Sequence, residues 1–440
     1  MMQLPAILQW SALSPAEQVV ALSRPAQQDT KELQRAAQAI IDEVRARGDA
    51  ALFDFTRRFD HVSLASFAVT PAEFAAAELQ LTPIQHQALQ RAIANVRRFH
   101  EAQIGTPLSL ETSPGVLCER LFRAIDAVGL YVPAGVAPLP SAAIMVAVPA
   151  AIAGCRTRVM CTPPRSDGSA DPAVLTVAQL CGVTRVFKLG GAQAIAAMAY
   201  GTQSVPKVSK VLGPGNAWVT AAKMLVANDP AGAALDLPAG PSEVLVIADA
   251  SARPDFVAAD LLAQAEHSED AQAILVTTSI DLAQAVQRQV QEQLATLQRT
   301  SILHQALAHS RFFVVSSLEQ AFELSNAYAP EHLIVQVASP RQWLPLISNA
   351  GSVFLGPWTP ETMGDYCSGT NHVLPTYGFA RAYSGLSLAD FQKRMTVQEL
   401  SAAGLRDLGP TAVTIAAMEG LGAHANAVRI RLAQLEGSSS

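Results

Sequence analysis

Charge is what this chain has least of. Of 440 residues, 15% are Asp, Glu, Lys or Arg, with 31 basic against 37 acidic side chains and a formal charge of -6. That balance offers no basic footprint, so no nucleic-acid partner is expected. Cysteine is scarce as well: Cys118, Cys155, Cys161, Cys181 and Cys367 form an odd set without a C-x-x-C pair. This argues against a disulfide framework and a cysteine zinc cluster, and fits a reducing cytoplasm. The N-terminal MMQLPAILQW lacks a basic segment followed by an apolar run and a small-residue cleavage site, so it does not read as a secretory signal. Residues Ala127 to Cys155 carry no charge, but Pro133, Pro138, Pro140 and Pro149 interrupt them. They read as a strand, a turn and a buried helix, and no membrane partner is expected.

What is present is apolar: half the residues are hydrophobic, while 26 Gly and 27 Pro are near ordinary usage. Disordered, collagenous and low-complexity classes are excluded, and the length suggests about three structural units. Ser14-Pro15-Ala16-Glu17 and Thr70-Pro71-Ala72-Glu73 read as helix starts, each with a capping hydroxyl, Pro at the first position and Glu at the third. Leu33, Ala37, Ile40, Ile41 and Val44 keep helical spacing until Gly48. From Asp126 the rhythm changes: AVGLYVP, RVMCTPP, RVFKLGG and KVLGPG alternate with helix-length segments. A second series, EVLVIAD, AILVTTS, FFVVSS, HLIVQV and SVFLGP, follows LDLPAGPSEV. Repeated strand and helix implies an α/β chain with two doubly wound domains. The expected divisions are a helical N-terminal region over 1–125, partly packed with the second large domain, a first large domain over 126–238, a second over 239–385, and a helical tail over 386–440. The Gly-, Ser-, Thr- and Asn-rich stretch from Pro357 to about residue 376 is a long loop of the kind that usually carries function. The final GSSS reads as a frayed end and is set aside.

No G-x-G-x-x-G fingerprint occurs; LGGAQAIAA and GPGNAWVTAAK are the nearest glycine turns. Each follows a strand and opens a helix, the position where phosphates bind in such folds, although plain turn chemistry explains them equally well. Of nine histidines, His61, His86, His100, His304 and His309 lie among polar helical residues and need no special role. His267 sits three residues after Gln264 on one helix face, His332 follows Glu331 at the entrance of an apolar strand, His372 shares a loop with Asp365, and His424 lies five residues beyond Glu419. Singly, each is ordinary. Together, His332 and the Asp365 loop fall at strand ends, read here as the sheet edge where open α/β folds bind ligands. Histidine and carboxylate donors without paired thiolates suit zinc or a similar divalent ion. The residues alone therefore point to a metal-dependent α/β enzyme.

The stretches VGLYVPAG, GPGNAWVTAAK, DLPAGPSEVLVIAD, LLAQAEH, PEHLIV, GDYCSGTNHVLPT, YSGLSLADFQKRMTVQEL and EGLGAHANAV, in this order, resemble the histidinol dehydrogenase family. The resemblance implies NAD-dependent oxidation of L-histidinol to L-histidine through histidinaldehyde and its hydrate, at the end of histidine biosynthesis. It implies two Rossmann-like domains and a homodimer in which each helical tail crosses to complete the other subunit's site. It also implies one zinc ion per subunit, held by Gln264, His267, Asp365 and His424. Glu331 and His332 are the implied catalytic pair, with His332 as base for the alcohol and Glu331 activating water. Ser242, Gln264, His267, His332, Asp365, His372, Glu419 and His424 are the implied substrate contacts, and Tyr131, Gln193 and Asn216 the implied NAD contacts.

Three positions depart from the family pattern: Trp218 replaces a usual Tyr, Met224 a commonly basic residue and Cys367 a small one. The first two bear on NAD affinity, the third on sensitivity to oxidation. Competing readings are a related zinc- and NAD-dependent amino alcohol dehydrogenase, a route through a thiohemiacetal on Cys118 or Cys155, and a non-catalytic NAD- or zinc-binding protein.

Overall fold

The computed structural model describes residues 4–25, 30–134 and 137–437. Gly135 of the VPAG motif and Ser438–Ser440 of the terminal GSSS lie outside them. Helix starts follow local chemistry. Ser14 and Thr70 each accept from the backbone of the third helical residue while Glu17 and Glu73 bond back to the cap. Thr82 and Gln85 form a third such box. The helix Thr30–Arg47 buries Ala37, and places Ile40, Ile41 and Val44 in one cluster with Ile195 and Val219.

In chain order, β1 (Ala6–Gln9) is followed by β2 (Leu108–Ser113) and β3 (Val116–Ala124). The first parallel series is β4 (Ala127–Tyr131), β5 (Thr157–Thr162), β6 (Arg185–Lys188), β7 (Lys210–Leu212) and β8 (Ala234–Leu235). The second is β9 (Glu243–Ala248), β10 (Gln272–Thr277), β11 (Arg311–Val314), β12 (His332–Gln336) and β13 (Ser352–Leu355), and β14 (Gln392–Leu400) comes last. The sheets run β6-β5-β4-β7-β8 and β1-β11-β10-β9-β12-β13. Counted within its own series each has the order 3-2-1-4-5, the doubly wound arrangement, with β1 added parallel to β11 at one edge of the second. β9 and β10 are buried at every residue, as strands covered on both faces must be.

Two compact units result: Met1–Ala102 with Ile125–Phe391, and Gln103–Ala124 with Gln392–Ser440. In the second unit β14, β3 and β2 form an antiparallel sheet, joined by the helices Ala402–Met418 and Gly422–Gly437. The regions 1–125 and 386–440 are thus not purely helical. β1, β2 and β3 interrupt the first, and β14 lies within the second, where a helix is expected. β14 pairs with β3 from Gln392↔Ala124 to Leu400↔Val116, a partner too distant in sequence for local periodicity to reveal. The uncharged stretch forms β4 and the buried helix Pro140–Ala153, and among the described residues no helix is long and apolar enough to cross a membrane.

Gly213, after β7, shows what the central turn demands. Its φ is +124°, and an added Cβ would collide with the Tyr131 carbonyl oxygen at the end of β4. Gly213→Ala is expected to destabilise the protein by roughly 2–4 kcal/mol, read as a lowered Tm; an unchanged Tm would contradict this close approach.

Candidate active site

The first site lies at the amino edge of the second sheet. His332 opens β12, in register with Ser352 at the start of β13 and Val244 near the start of β9. The helix Pro254–Ala265 runs back from β9, so Gln264 and His267 arrive at its C-terminal end. The short helix Glu361–Tyr366 after β13 brings Glu361 and Asp365. This corrects the strand-end expectation, which pointed to the carboxyl edge usual for open α/β sheets: a residue that begins a parallel strand sits at the opposite edge. At this edge helices present their negative ends, which favour a cation. The stretch after Pro357 is likewise not all loop, since the helix Glu361–Tyr366 lies within it.

His267, Glu361 and Asp365 each offer a donor atom, all within 4.8 Å of one another. His332 Nε2 is 3.7 Å from Asp365 Oδ1, and Nδ1 is 3.6 Å from Glu331 Oε2. Gln264 Oε1 is 3.1 Å from His332 Nδ1; with the amide turned over, its nitrogen donates to the Glu361 carboxylate at 3.1 and 3.2 Å, to the Glu243 carbonyl at 3.2 Å and to His332 Nδ1 at 3.1 Å. The same carbonyl is 3.3 Å from His332 Nδ1, and the Glu243 backbone N–H donates to Glu331 Oε2 at 2.9 Å. His332 Nε2 is buried without a hydrogen-bond partner among the described residues. His372 Nδ1 donates to the Asp365 main-chain carbonyl at 2.7 Å, which braces the helix carrying Asp365. Ser242 directly precedes β9.

Burial dominates the electrostatics. It pushes the Glu331 carboxyl well above its usual range, with the Glu243 and Asp365 charges adding to it and the Glu243 N–H opposing. Glu361 is raised in the same way, with Asp365, Glu331 and Asp260 adding. His332 is pushed down to about 4, chiefly by burial, and His372 is lowered for the same reason. Buried carboxylates facing neutral imidazoles lack positive charge, and the donors present fit a divalent cation. Glu361 escaped the sequence reading; a lone Glu in a polar stretch carries no signal. So did His100, assigned to a polar helix face but fully buried, with Nδ1 on Val96 O and Nε2 3.5 Å from Asn371 Nδ2 in the His372 loop.

The second site lies at the carboxyl edge of the first sheet. Tyr131 ends β4, Gln193 sits in the first turn of the helix Gly191–Tyr200, and Asn216 caps the helix Ala217–Ala227, its Oδ1 accepting from Val219 N at 3.1 Å. The Tyr131 hydroxyl accepts from Gly191 N at 3.0 Å. β4 and β7 are the strands between which the winding reverses, so these residues flank a switch point suited to a dinucleotide. Trp218 and Met224 are exposed on the same helix. Glu419 and His424 belong to the second unit and are exposed there on its helical pair. Cys155 is buried and its thiol is pushed up to about 11, which disfavours it as a nucleophile; Cys118 lies in β3 of the second unit.

Twin doubly wound sheets, one with glycine turns at its carboxyl edge and one with a cluster of acidic and histidine side chains at its amino edge, define a two-sheet α/β enzyme. The histidinol dehydrogenase family model matches residues 23–432. A histidinol dehydrogenase from Xanthomonas euvesicatoria is 59% identical over 97% of this chain and 99% of its own, and one from Vibrio vulnificus is 55% identical over 98% and 99%. The crystal structure of histidinol dehydrogenase from Elizabethkingia anophelis superposes with a TM-score of 0.95 at 42% identity, covering 99% of each chain. The chain belongs to the histidinol dehydrogenase family.

One buried acid behind the pocket gives a pH test. Asp260, one turn before Gln264, accepts from Gln336 Nε2 at 2.7 Å and is raised by burial from 3.8 to about 7. Its folded pKa lies above its unfolded one, so stability is full below pH 4 and falls as pH rises toward 7. Asp260→Asn should therefore equal the parent near pH 4 and exceed it by roughly 1–4 kcal/mol at pH 7 and above. Denaturant melts at both pH values check this; a variant less stable at pH 7 would contradict it.

Proposed function

We propose that this chain is an NAD-dependent oxidoreductase that converts L-histidinol to L-histidine in two oxidations, through histidinaldehyde and its hydrate, at the end of histidine biosynthesis. The observation that carries the reading is the convergence, at one sheet edge, of the unpartnered His332 Nε2, the buried Glu331 and the donor group His267–Glu361–Asp365.

Burial keeps His332 neutral at physiological pH, the form a base requires. In the tautomer whose Nδ1–H donates a hydrogen bond to the Glu243 carbonyl at 3.3 Å, Nε2 keeps a free lone pair and takes the alcohol proton. Glu331, whose Oε2 accepts from the Glu243 N–H, takes in its ionised form a proton from the water that adds to the aldehyde. Gln264, His267 and Asp365, with His424 from the tail of a second subunit, would hold one zinc ion per subunit, whose chemistry when bound is to grip the substrate's imidazole and amino nitrogens. Ser242 and His372, with Glu419 from the second subunit's tail, complete the substrate pocket. Tyr131, Gln193 and Asn216 hold NAD, the hydride acceptor of both steps, against the first sheet.

Residues 126–238 then form the NAD domain, 239–385 the metal and catalytic domain, and the tail crosses a homodimer. Exposed Leu408, Ile415, Met418, Leu421 and Ile430 on the tail helices support an interface there. A cytoplasmic location suits five free thiols. The intact Glu331–His332 pair disfavours a non-catalytic role.

Histidinol turnover is expected to yield two NADH per histidine; one NADH with accumulating aldehyde would identify a simpler amino alcohol dehydrogenase. Glu331→Gln should slow aldehyde oxidation most and His332→Asn alcohol oxidation, by about 10²–10⁴ each. Equal, modest losses in both steps for both variants would overturn the roles. Asp365→Asn and His424→Ala dimers should each be inactive, yet reassorted mixtures should regain about a quarter of parental activity, because one site in each mixed dimer is intact. Verified heterodimers without activity would exclude the shared site.

A further inference from the structure

Arg24 lies far in sequence from every residue assigned above, in the segment following the helix Pro15–Ala21. Its guanidinium grips Glu243 with both prongs, Nε to Oε2 at 2.6 Å and Nη2 to Oε1 at 2.7 Å. Nη2 also donates to the Tyr328 carbonyl at 2.8 Å, and the group stacks 3.9 Å from the Tyr328 ring centroid. The Arg24 side chain is 12% exposed and that of Glu243 2%. The Tyr328 hydroxyl bonds Gln272 Oε1 at 2.7 Å and lies 3.2 Å from Glu243 Oε2. The segment itself is fastened: Gln272 Nε2 donates to Ser23 O, and the Tyr377 hydroxyl donates to Pro25 O.

The two things Arg24 holds are the two that position the reacting groups. Glu243 is the first residue of β9; its N–H fixes the Glu331 carboxylate and its C=O meets His332 Nδ1. Tyr328 precedes Ala329, whose left-handed φ of +55° turns the chain into Pro330, Glu331 and His332. No other contact described above joins the side chain of Glu243 to the backbone of that turn.

We propose that Arg24 is a positioning residue for both oxidations: its fork locks the start of β9 to the turn entering β12, and so sets Glu331 and His332 relative to each other. This rests on the reading of those two as the catalytic pair. The function is geometric, since bidentate recognition fixes orientation in a way a point charge does not. A misplacement of about 1 Å at a reacting group is sufficient for a loss near 10²-fold.

The test measures both half-reactions in Arg24→Met, Arg24→Lys and Glu243→Gln, with rates referred to folded, zinc-bearing protein. Arg24→Met and Glu243→Gln should each lower kcat by about 10- to 100-fold in both steps, with KM for histidinol and for NAD within about threefold of the parent. Arg24→Lys should fold and recover part of kcat, and it serves as the informative variant if Arg24→Met does not fold. Combining Arg24→Met with Glu243→Gln should cost little beyond either alone, because both break one contact. Glu331→Gln and His332→Asn run alongside. If these two are impaired while Arg24→Lys and Arg24→Met keep parental kcat per folded site, the inference falls and the active-site reading stands. If these two are themselves unimpaired, the active-site reading falls and takes the inference with it.

Discussion

The placement of both candidate sites follows from the crossover that joining two parallel strands requires. A helix that joins two parallel strands must run back along the sheet, so each sheet gathers helix N-termini at its carboxyl edge and helix C-termini at its amino edge. The first sheet uses the former, where positive helix ends and glycine turns suit a phosphate-bearing ligand. The second uses the latter, where the helix Pro254–Ala265 delivers Gln264 and His267 to the first residues of β9 and β12. One winding rule, repeated twice, thus yields two edges of opposite electrostatic character.

The amino-edge pocket is costly without a cation. Glu331 and Glu361 are buried beside Asp365, and the imidazoles of His332 and His372 are kept neutral. Only Glu243 has a full counter-charge, Arg24, and it spends its main chain, not its carboxylate, on the pocket. A site with this imbalance has the donor chemistry to hold a divalent ion. The same burial raises the proton affinity of the carboxylates and lowers that of the imidazoles, which leaves His332 neutral beside them.

The fold was largely legible because buried parallel strands are continuous apolar runs: EVLVIAD, HLIVQV and the rest appear where expected, and Ser14 and Thr70 cap as their side chains dictate. β2, β3 and β14 were not, since their pattern is set by partners across the sequence. Within the site, Glu331, His332, His267 and Asp365 were found through motifs, and the structure brings them together. Glu361, Arg24 and His100 were not, because their significance lies only in what folding places beside them. The edge of the sheet was misjudged for a related reason: a strand's first and last residues look alike in sequence, but they lie at opposite ends of the sheet.

The missing dinucleotide fingerprint has a physical explanation in the turn after β7. In that fingerprint the glycines leave backbone amides free for a pyrophosphate. Here the Gly213 amide is committed to Asp236 Oδ2 at 2.8 Å and its carbonyl to Lys223 Nζ at 2.9 Å, while Lys223 and Asp236 form a buried ion pair. The turn is therefore held from within. Gly213 is required for the close approach to Tyr131, not for ligand contact, so the usual glycine spacing has no reason to persist. On the proposed reading, recognition at this edge falls to side chains around the turn and to the N-terminus of the helix capped by Asn216, a signal of scattered residues and not of a compact motif.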